Sequence, residues 1–328
     1  MKGHSKIHQD GEPGPNETSR GKPAARLASG ICLLALSLLF APGTPAQQEQ
    51  DILLVRPADS ALITEVEQAF TERLHERCKS RPDCPRIYPV AVTRLTGALK
   101  PPPRLMVSLG HEASRAISRM AGDTPQLHVL VSRAEHSSHA GAAGNRFAIY
   151  LEQPLSRYFE LIRFLMPERT RVGILLSEHT EELRERLQSL AEREGMDLQV
   201  VEVKSGKQIG KQLHSLKDRV DVLLALPDPS IYNRGTLATI LLTTYRDHIP
   251  VVGFSAGMVR AGAIAGIHSS PRNIGIEAAD AAFDLLEGAP ASAGYPKTFD
   301  VTVNRRVASA LHIRLPTDAE TQSWKEGL

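Results

Sequence analysis

The sequence predicts two doubly wound α/β domains, each built on a mostly parallel sheet and joined to the other by a hinge. Short continuous apolar runs, typical of parallel strands that are buried on both faces, alternate with segments of helical periodicity. This alternation occurs twice along the chain, and the second series starts at residue 171. The chain beyond residue 46 is also too long for one small core and suits two domains of ordinary size.

The first series contains five predicted strands separated by helices. The apolar runs that predict the strands are 52–55, 88–92, 105–110, 126–131 and 147–151. Apolar residues at helical spacing predict helices at 62–74, 111–120 and 155–166. Pro89 cannot donate to a strand ladder, so we expect the second strand near an edge of the sheet. Residues 134–144 are rich in Ser, His, Ala and Gly and are predicted to form a mobile loop.

The second series repeats this layout. Its strands are predicted at 172–176, 198–203, 220–226, 251–254 and 263–267. Its helices are predicted at 181–194, 209–217, 231–246 and 274–287. Gly195 and Gly288 follow two of these helices, as expected of residues that end a helix. A last strand at 298–303 and a short helix at 304–313 are the final predicted elements.

The first 46 residues have the features of a secretory signal peptide. Basic residues precede the apolar run 31–41, and small residues at 44–46 suit cleavage. The run is shorter than the roughly 20 residues that a transmembrane helix needs. Cys32 lies near the start of the run rather than after it, so no lipoprotein signal is predicted. We expect a periplasmic protein that is soluble after cleavage; the alternative is an uncleaved anchor.

The domain boundaries follow from these segments. They are a signal peptide at 1–46, an N-terminal α/β lobe at 47–153, a C-terminal α/β lobe at 154–268 and a final segment at 269–328. The final segment is expected to hold a helix that returns toward the hinge, a strand that crosses it and a C-terminal helix.

The signal peptide accounts for the net charge of the chain. The formal net charge is +2, and residues 1–46 contain five Lys or Arg and three Asp or Glu, so the remainder is formally neutral. Proteins that bind nucleic acid normally present a basic surface. The charge pattern therefore argues against a nucleic-acid partner.

Two cysteines remain beyond the signal peptide, Cys78 and Cys84. In an oxidising compartment, an even pair this close in sequence predicts a disulfide that closes a short loop. Two free thiols are the alternative. A metal site would need more ligands nearby than the sequence offers.

No catalytic or cofactor motif is predicted. Residues 253–257 match the spacing Gly-x-Ser-x-Gly around Ser255, but no Asp or Glu lies between this motif and His268. His136 and His139 have a metal-compatible spacing without a third ligand nearby, so we expect them in a solvated loop. The sequence therefore predicts a non-enzymatic protein without a metal or a cofactor.

Polar and small side chains follow two strands of the second domain. In open α/β sheets, ligands bind beyond the carboxyl ends of the strands, so these residues predict one wall of a small-molecule cleft. Helix capping by Asp228 or Ser230 is an alternative role that does not exclude binding. The candidate ligand residues here are Asp228, Ser230, Asn233, Ser255 and Met258.

The segment 155–313 resembles the substrate-binding components of ABC transporters with a type I periplasmic-binding fold. It is similar in particular to the family that includes tryptophan- and other aromatic-amino-acid-binding proteins. The matching pieces are Leu165-Met166-Pro167 before 171–175, Pro227-Asp228 at a strand end, 249–253, 258–263, Gly275 before Leu286-Glu287-Gly288, and Val303-Asn304 with 308–313.

This resemblance implies a small-molecule ligand, with amino acids as candidates, held between two lobes that close around it. Gly110, His111 and Glu112 would then face the ligand from the first lobe, opposite the five residues of the second. The implied hinge segments are 151–154, 266–270 and 299–301. An ABC permease is the implied partner; the alternative is a periplasmic sensor or adaptor of the same fold without a permease.

Overall fold

A computed structural model of the chain describes residues 51–327 except 59, 80, 96–99, 121, 140–143 and 290–292. The predicted signal peptide at 1–46 lies outside the described residues. Within the described part, no helix is both long enough and apolar enough to cross a bilayer.

The first lobe is built on a five-stranded parallel sheet with the spatial order β2-β1-β3-β4-β5. Its strands are β1 (Ile52–Arg56), β2 (Ile87–Ala91), β3 (Leu105–Leu109), β4 (Gln126–Val131) and β5 (Arg146–Tyr150). Its connecting helices are α1 (Ala61–Arg77), α2 (His111–Ser118) and α3 (Arg133–His139). The strand that contains Pro89 lies at an edge of the sheet, which confirms the prediction made from this proline.

The second lobe is built on a six-stranded sheet with the order β11-β10-β9-β8-β6-β7, in which only β11 is antiparallel to its neighbour. Its strands are β6 (Arg171–Leu176), β7 (Asp197–Glu202), β8 (Val222–Leu224), β9 (Val251–Gly253), β10 (Ala265–His268) and β11 (Asp300–Val303). The remaining helices are α4 (Leu155–Leu165), α5 (Arg184–Arg193), α6 (Ile209–Leu216), α7 (Leu237–Arg246), α8 (Ala256–Ala261), α9 (Pro271–Leu286), α10 (Arg305–Ala310) and α11 (Asp318–Glu326).

Helices cover both faces of each sheet. In the first lobe, α1 and α9 pack on one face and α2 packs on the other. In the second lobe, α4 and α5 pack on one face, while α6, α7 and α8 pack on the other. The continuous apolar runs are therefore buried on both sides, as expected for parallel strands. The predicted fold class of two doubly wound lobes is confirmed.

The long helix α9 returns to the first lobe and packs along α1. Asp280 of α9 accepts hydrogen bonds from Arg73 Nε (2.9 Å) and Arg77 Nη1 (2.8 Å) of α1. The guanidinium of Arg77 also lies 4.4 Å from the ring centroid of Phe283. The chain then returns to the second lobe, where β11 pairs with β10.

The chain passes between the lobes after β5, after β10 and again between α9 and β11. Gln153, which is 1% exposed, donates from Nε2 to Ser269 Oγ over 2.9 Å. Ser269 Oγ in turn donates to the carbonyl oxygen of Thr298 over 2.6 Å. These two hydrogen bonds connect all three crossings.

The cysteine pair lies at the end of α1. Cys78 is the residue that follows the helix, and the structure joins it to Cys84 in a disulfide with the Cα atoms 5.3 Å apart. The bond closes the turn between α1 and the segment that leads into β2.

The prediction of a mobile loop over 134–144 is wrong for its first half, because residues Arg133–His139 form α3. Ser132 N donates to Glu135 Oε2 (2.9 Å) and Glu135 N donates to Ser132 Oγ (3.1 Å), a reciprocal capping box. His136 is buried rather than solvated, with its ring centroid 5.7 Å from that of His128 and 5.8 Å from that of Tyr150. Residues 140–143 and the side chain of His139 lie outside the description.

The helix predicted over 231–246 begins later, at Leu237. Asn233 Oδ1 accepts a hydrogen bond from Gly235 N (2.9 Å), and Thr236 Oγ1 donates to the carbonyl oxygen of Ile231 (2.5 Å). These side chains compete with helical hydrogen bonds and hold the chain in turns before the helix.

Two further short helices were not predicted, α8 and α11. Ser255 caps α8 by accepting from Met258 N over 3.2 Å, and Gly262 ends it at φ 134°. Thr317 and Glu320 form a capping box at the start of α11. The ring of Trp324 in α11 stacks on that of Phe164, with centroids 4.9 Å apart.

Candidate functional site

A cleft of about 590 Å³ lies between the two lobes, at the carboxyl ends of strands from both sheets. In the first lobe it meets the residues that follow β4 and β5, and in the second those that follow β6, β8 and β9. The first-lobe wall includes Ser132, Arg133, Ala134, Glu135, Leu151 and Glu152. The second-lobe wall includes His179, Thr180, Glu182, Leu226, Pro227, Asp228, Tyr232 and Phe254.

Asp228 is the buried carboxylate at the base of the second-lobe wall, only 2% exposed. Its Oδ2 accepts from Ser177 Oγ (2.6 Å) and Thr180 Oγ1 (2.8 Å), both of which follow β6. Its Oδ1 accepts from Ser230 Oγ (2.5 Å) and Ser230 N (3.0 Å). The carboxylate therefore ties the loop after β8 to the loop after β6.

The protonation of Asp228 is set by two opposing effects. Burial favours the neutral acid and would raise its pKa, whereas the hydrogen bonds from Ser177, Ser230 and Thr180 favour the carboxylate. The hydrogen bonds outweigh the burial, so the pKa of Asp228 lies below its usual value and the group is ionised at neutral pH.

The first-lobe wall carries two carboxylates in different surroundings. Glu135 accepts from Ser132 N and also contacts His111 Nδ1 of α2. Glu152 accepts from Arg133 N at 3.1 Å with each of its two oxygens. Burial raises the pKa of Glu152 above its usual value, because the backbone donors only partly offset the loss of water.

Aromatic rings form much of the remaining wall. The ring centroids of Tyr232 and Phe254 lie 5.9 Å apart in an edge-to-face arrangement on the second lobe. Tyr295 lies edge-on to Tyr150, with centroids 5.5 Å apart, on the first lobe. Tyr158, in the first turn of α4, also lines the cleft and is almost fully buried. The cleft thus combines an apolar, aromatic interior with a few fixed charged groups.

Of the eight predicted ligand residues, all of which the structure describes, Asp228 is the one in the cleft wall. Ser230 contributes by donating to Asp228. Asn233 is exposed, and its Nδ2 donates to the carbonyl oxygen of Pro229. Ser255 caps α8, and Met258 is buried in the core of the second lobe.

The three candidates of the first lobe lie at the start of α2, after β3. Gly110 takes φ 82° as the residue before the helix, and Glu112 is exposed in its first turn. His111 contacts Glu135 but does not line the cleft itself. The residues that do line it follow β4 and β5, which lie beside each other at one edge of this sheet.

The sequence contained one signal for this wall that the prediction did not use. Ser132 and Glu135 have the spacing of a capping box, which predicts a helix directly after β4. A helix at that point places its first turn at the carboxyl end of the strand, where ligands bind in α/β sheets.

Ser255, the residue of the Gly-x-Ser-x-Gly spacing, has the geometry of a helix cap. Its backbone is extended, at φ −156° and ψ 150°, rather than strained as at the nucleophile of a hydrolase. Its Oγ accepts from Met258 N. His268, the first histidine after the motif, has Thr302 as its hydrogen-bond partner, with 3.0 Å between Nε2 and Oγ1.

A metal site requires several ligands in one cluster. Within the described ranges, no cluster of three or more His, Cys, Asp or Glu could hold a metal ion.

Comparison with known sequences identifies one family. Residues 149–322 match the family described as ABC transporter substrate binding protein. This range takes in the hinge crossing after β5, the second lobe and α9. No curated protein matches the chain.

Solved structures share the fold over most of the chain. A conserved domain protein from Vibrio cholerae O1 biovar El Tor is 17% identical, with a TM-score of 0.59 over 84% of this chain and 98% of that one. An ABC domain from Streptococcus pneumoniae in complex with L-Trp gives the same values. The ligand-free, open structure of CD0873, a substrate-binding protein with adhesive properties from Clostridium difficile, is 15% identical, with a TM-score of 0.67 over 83% of this chain and 97% of that one.

Proposed function

This chain belongs to the ABC transporter substrate-binding protein family, and we propose that it captures a small organic solute in the periplasm and delivers it to the permease of an ABC importer. In this role the protein binds and releases its ligand without changing it chemically.

The observation that carries this proposal is the cleft between the lobes. Its volume of about 590 Å³ falls in the range of roughly 300–1,000 Å³ that is usual for small-molecule sites. Its interior is mostly apolar, and its charged groups come from both lobes. A solute bound there would contact both lobes at once, so its binding energy would favour their approach.

The crossings between the lobes suit such a movement. Three segments connect the lobes, and the hydrogen bonds from Gln153 to Ser269 and from Ser269 to Thr298 keep the three segments together. A hinge needs only a few residues at the ends of elements to absorb the change in backbone angles. We propose that the segments 151–154, 266–270 and 299–301 do so.

Amino acids belong among the candidate solutes. The similar structure from Streptococcus pneumoniae holds L-Trp, and the aromatic rings around Tyr232 and Phe254 suit an apolar or aromatic body. At 17% identity, the ligand of that structure does not identify the ligand of this chain. The side chains that line this cleft determine which solute binds.

The proposal is tested by thermal unfolding of the purified protein with a panel of amino acids, amines, sugars and purines. A ligand at 100 times its dissociation constant stabilises the native state by about 2.7 kcal/mol, which is readily measured as a rise in Tm. Small-angle X-ray scattering with the same ligand should give a smaller radius of gyration. If no solute in any class raises the Tm, the proposed function is wrong.

A pair of matched variants tests whether the solute binds in the cleft. Ala134→Trp puts a large ring at the exposed rim of the cleft, whereas Ala238→Trp makes the same change on the exposed face of α7, outside the cleft. We expect Ala134→Trp to abolish the rise in Tm and Ala238→Trp to retain it. Equal stabilisation of both variants by the ligand would contradict binding between the lobes.

A further inference from the structure

The cleft is lined by more acidic than basic side chains. Among the described residues, four carboxylates line it, whereas one guanidinium, that of Arg133, is the only Lys or Arg in the wall. An imidazole, that of His179, is also present at the rim. The carboxylates are Glu135, Glu152, Glu182 and Asp228. The electrostatic potential of the cleft therefore favours a positively charged ligand.

The guanidinium of the wall is already paired. Arg133 Nη2 donates to Glu182 Oε1 over 2.8 Å. A carboxylate on the ligand would have to displace Glu182 to gain this partner, and the freed Glu182 would then face the ligand's own negative charge. Because Arg133 is paired with Glu182, it offers a ligand carboxylate less attraction than a free guanidinium would.

Three backbone donors in and beside the wall are occupied as well. Ser132 N donates to Glu135 (2.9 Å), and Arg133 N donates to Glu152 (3.1 Å). On the second lobe, Ser230 N donates to Asp228 (3.0 Å). In each case a carboxylate of the protein takes the place where a ligand carboxylate would bind to exposed N–H groups.

Glu152 is the carboxylate best placed to receive a cation. It lines the cleft, its described hydrogen bonds come from the backbone, and no ion pair of the described residues includes it. Its pKa is raised by burial, so its charge is poorly compensated in the ligand-free protein. An ammonium group nearby would compensate it.

A second, independent feature, the aromatic lining of the cleft, points to a ligand with an apolar body. Tyr232, which lines the cleft, is only 9% exposed. The rings of Tyr232, Phe254 and Tyr295 can pack against an apolar body, and such rings also attract cations to their faces.

From these contacts we infer that the solute of this cleft is an organic amine, a cation with an aromatic or branched aliphatic body and without a carboxylate group. The inference rests on the proposed function, which it narrows from solutes in general to one charge class. The ammonium group would lie near Glu152 on the first lobe, and the apolar body would pack against the rings of the second lobe.

The test compares ligands that share a body and differ in charge. Three sets serve: tryptamine, tryptophan and indolepropionate; phenethylamine, phenylalanine and hydrocinnamate; isopentylamine, leucine and isocaproate. Binding is measured by titration calorimetry and thermal unfolding. In at least one set we expect the amine to bind at least about tenfold more tightly than the zwitterion, and the acid to give no shift in Tm.

Two variants test whether the preference for a positively charged ligand comes from Glu152 in the cleft. Glu152→Gln removes the charge while keeping the shape of the side chain, and we expect it to weaken amine binding by about tenfold or more. Glu192→Gln makes the same change on the exposed outer face of α5 and should leave binding unchanged. If Glu152→Gln binds the amine as well as the native protein does, the inference is wrong.

The outcomes separate this inference from the proposed function. If a zwitterion or an acid binds as tightly as its amine, or if only sugars or purines bind, the amine assignment fails and solute binding stands. If no compound of any class binds, both fail.

Discussion

Arg133, the first residue of α3 in the first lobe, forms an ion pair with Glu182 of the second lobe, with 2.8 Å between Nη2 and Oε1. One charged contact therefore bridges the cleft. The side chains are 36% and 59% exposed, so water and salt screen the interaction, and we expect it to contribute no more than about 1 kcal/mol to this arrangement of the lobes.

Glu182→Gln should accordingly shift the ligand-free protein toward a more open arrangement. A loss of about 1 kcal/mol changes the ratio of the bridged arrangement to more open ones by about fivefold, which small-angle scattering can detect as a larger radius of gyration. The neighbouring Glu181 pairs with Arg184 inside the second lobe and provides the control. Glu181→Gln should leave the scattering unchanged. A radius that is identical for both variants at low and high salt would contradict a bridging role.

Tyr232→Phe should stabilise the ligand-free protein. The Tyr232 hydroxyl is buried without a partner among the described residues, and an unpaired buried polar group costs about 1–3 kcal/mol. Removing the oxygen alone should raise the free energy of unfolding by about 1 kcal/mol in urea titrations. Tyr245→Phe, at an exposed site on α7, should have no effect. Destabilisation of the free protein would refute the interpretation.

Asp228→Asn should destabilise the protein, and the loss should depend on pH. Hydrogen bonds to a charged group contribute roughly 1.5–3 kcal/mol, and Asp228 accepts several from Ser177, Thr180 and Ser230, so we expect a loss of about 2 kcal/mol at neutral pH. Its pKa in the folded state is lowered from the ordinary value of 3.8. The stability that it contributes is thus fully present above 3.8 and is lost as the pH falls through the lower, folded value.

Urea titrations of the native protein and of Asp228→Asn over a pH series check this sign. The two free energies of unfolding should differ most at neutral pH and converge in acid. Asp123→Asn, at an exposed position before β4, is the matched control and should follow the native protein throughout. A difference that grows as the pH falls would show that the carboxylate is not held in its ionised form.

Much of the fold could be predicted because buried parallel strands leave an unambiguous pattern. The runs at β1, β3 and β8 are apolar at nearly every position, since helices cover both faces of each sheet. Asp228 could be predicted to lie at the cleft because it follows the apolar run 220–226, after Pro227. The helix α3 was not predicted, because the loop-like composition of residues 134–144 was used and the capping-box spacing of Ser132 and Glu135 was not.

The first-lobe wall could not be predicted in the same way. The order of parallel strands in a sheet is set by tertiary packing and not by their order in the chain. The sequence therefore does not tell which strand ends face the other lobe. His111 follows β3 in the middle of the sheet, whereas Arg133 and Glu152 follow β4 and β5 toward one edge, and it is the edge that meets the cleft.

The packing of α9 on α1 gives a sharp test of how the last segment of the chain stabilises the first lobe. Gly275 lies at a close contact between the two helices, and a Cβ added there would lie 2.5 Å from the carbonyl oxygen of Val66 and 2.8 Å from the Cβ of Ala69. The first of these neighbours is backbone, so the helices would have to separate. Overpacking of this kind costs about 1–3 kcal/mol, and we expect Gly275→Ala to lie at the upper end.

Gly210→Ala is the matched control, because Gly210 is exposed in α6 and nothing lies within 4 Å of an added Cβ. Alanine favours helix over glycine, so this variant should be stabilised by about 0.5–1 kcal/mol. Urea unfolding of the two variants should therefore give changes of opposite sign. If Gly275→Ala unfolded like the native protein, α9 would not be seated on α1 in solution. The first lobe would then lack one of the two helices that cover this face of its sheet, and α9 could not hold the third crossing in place.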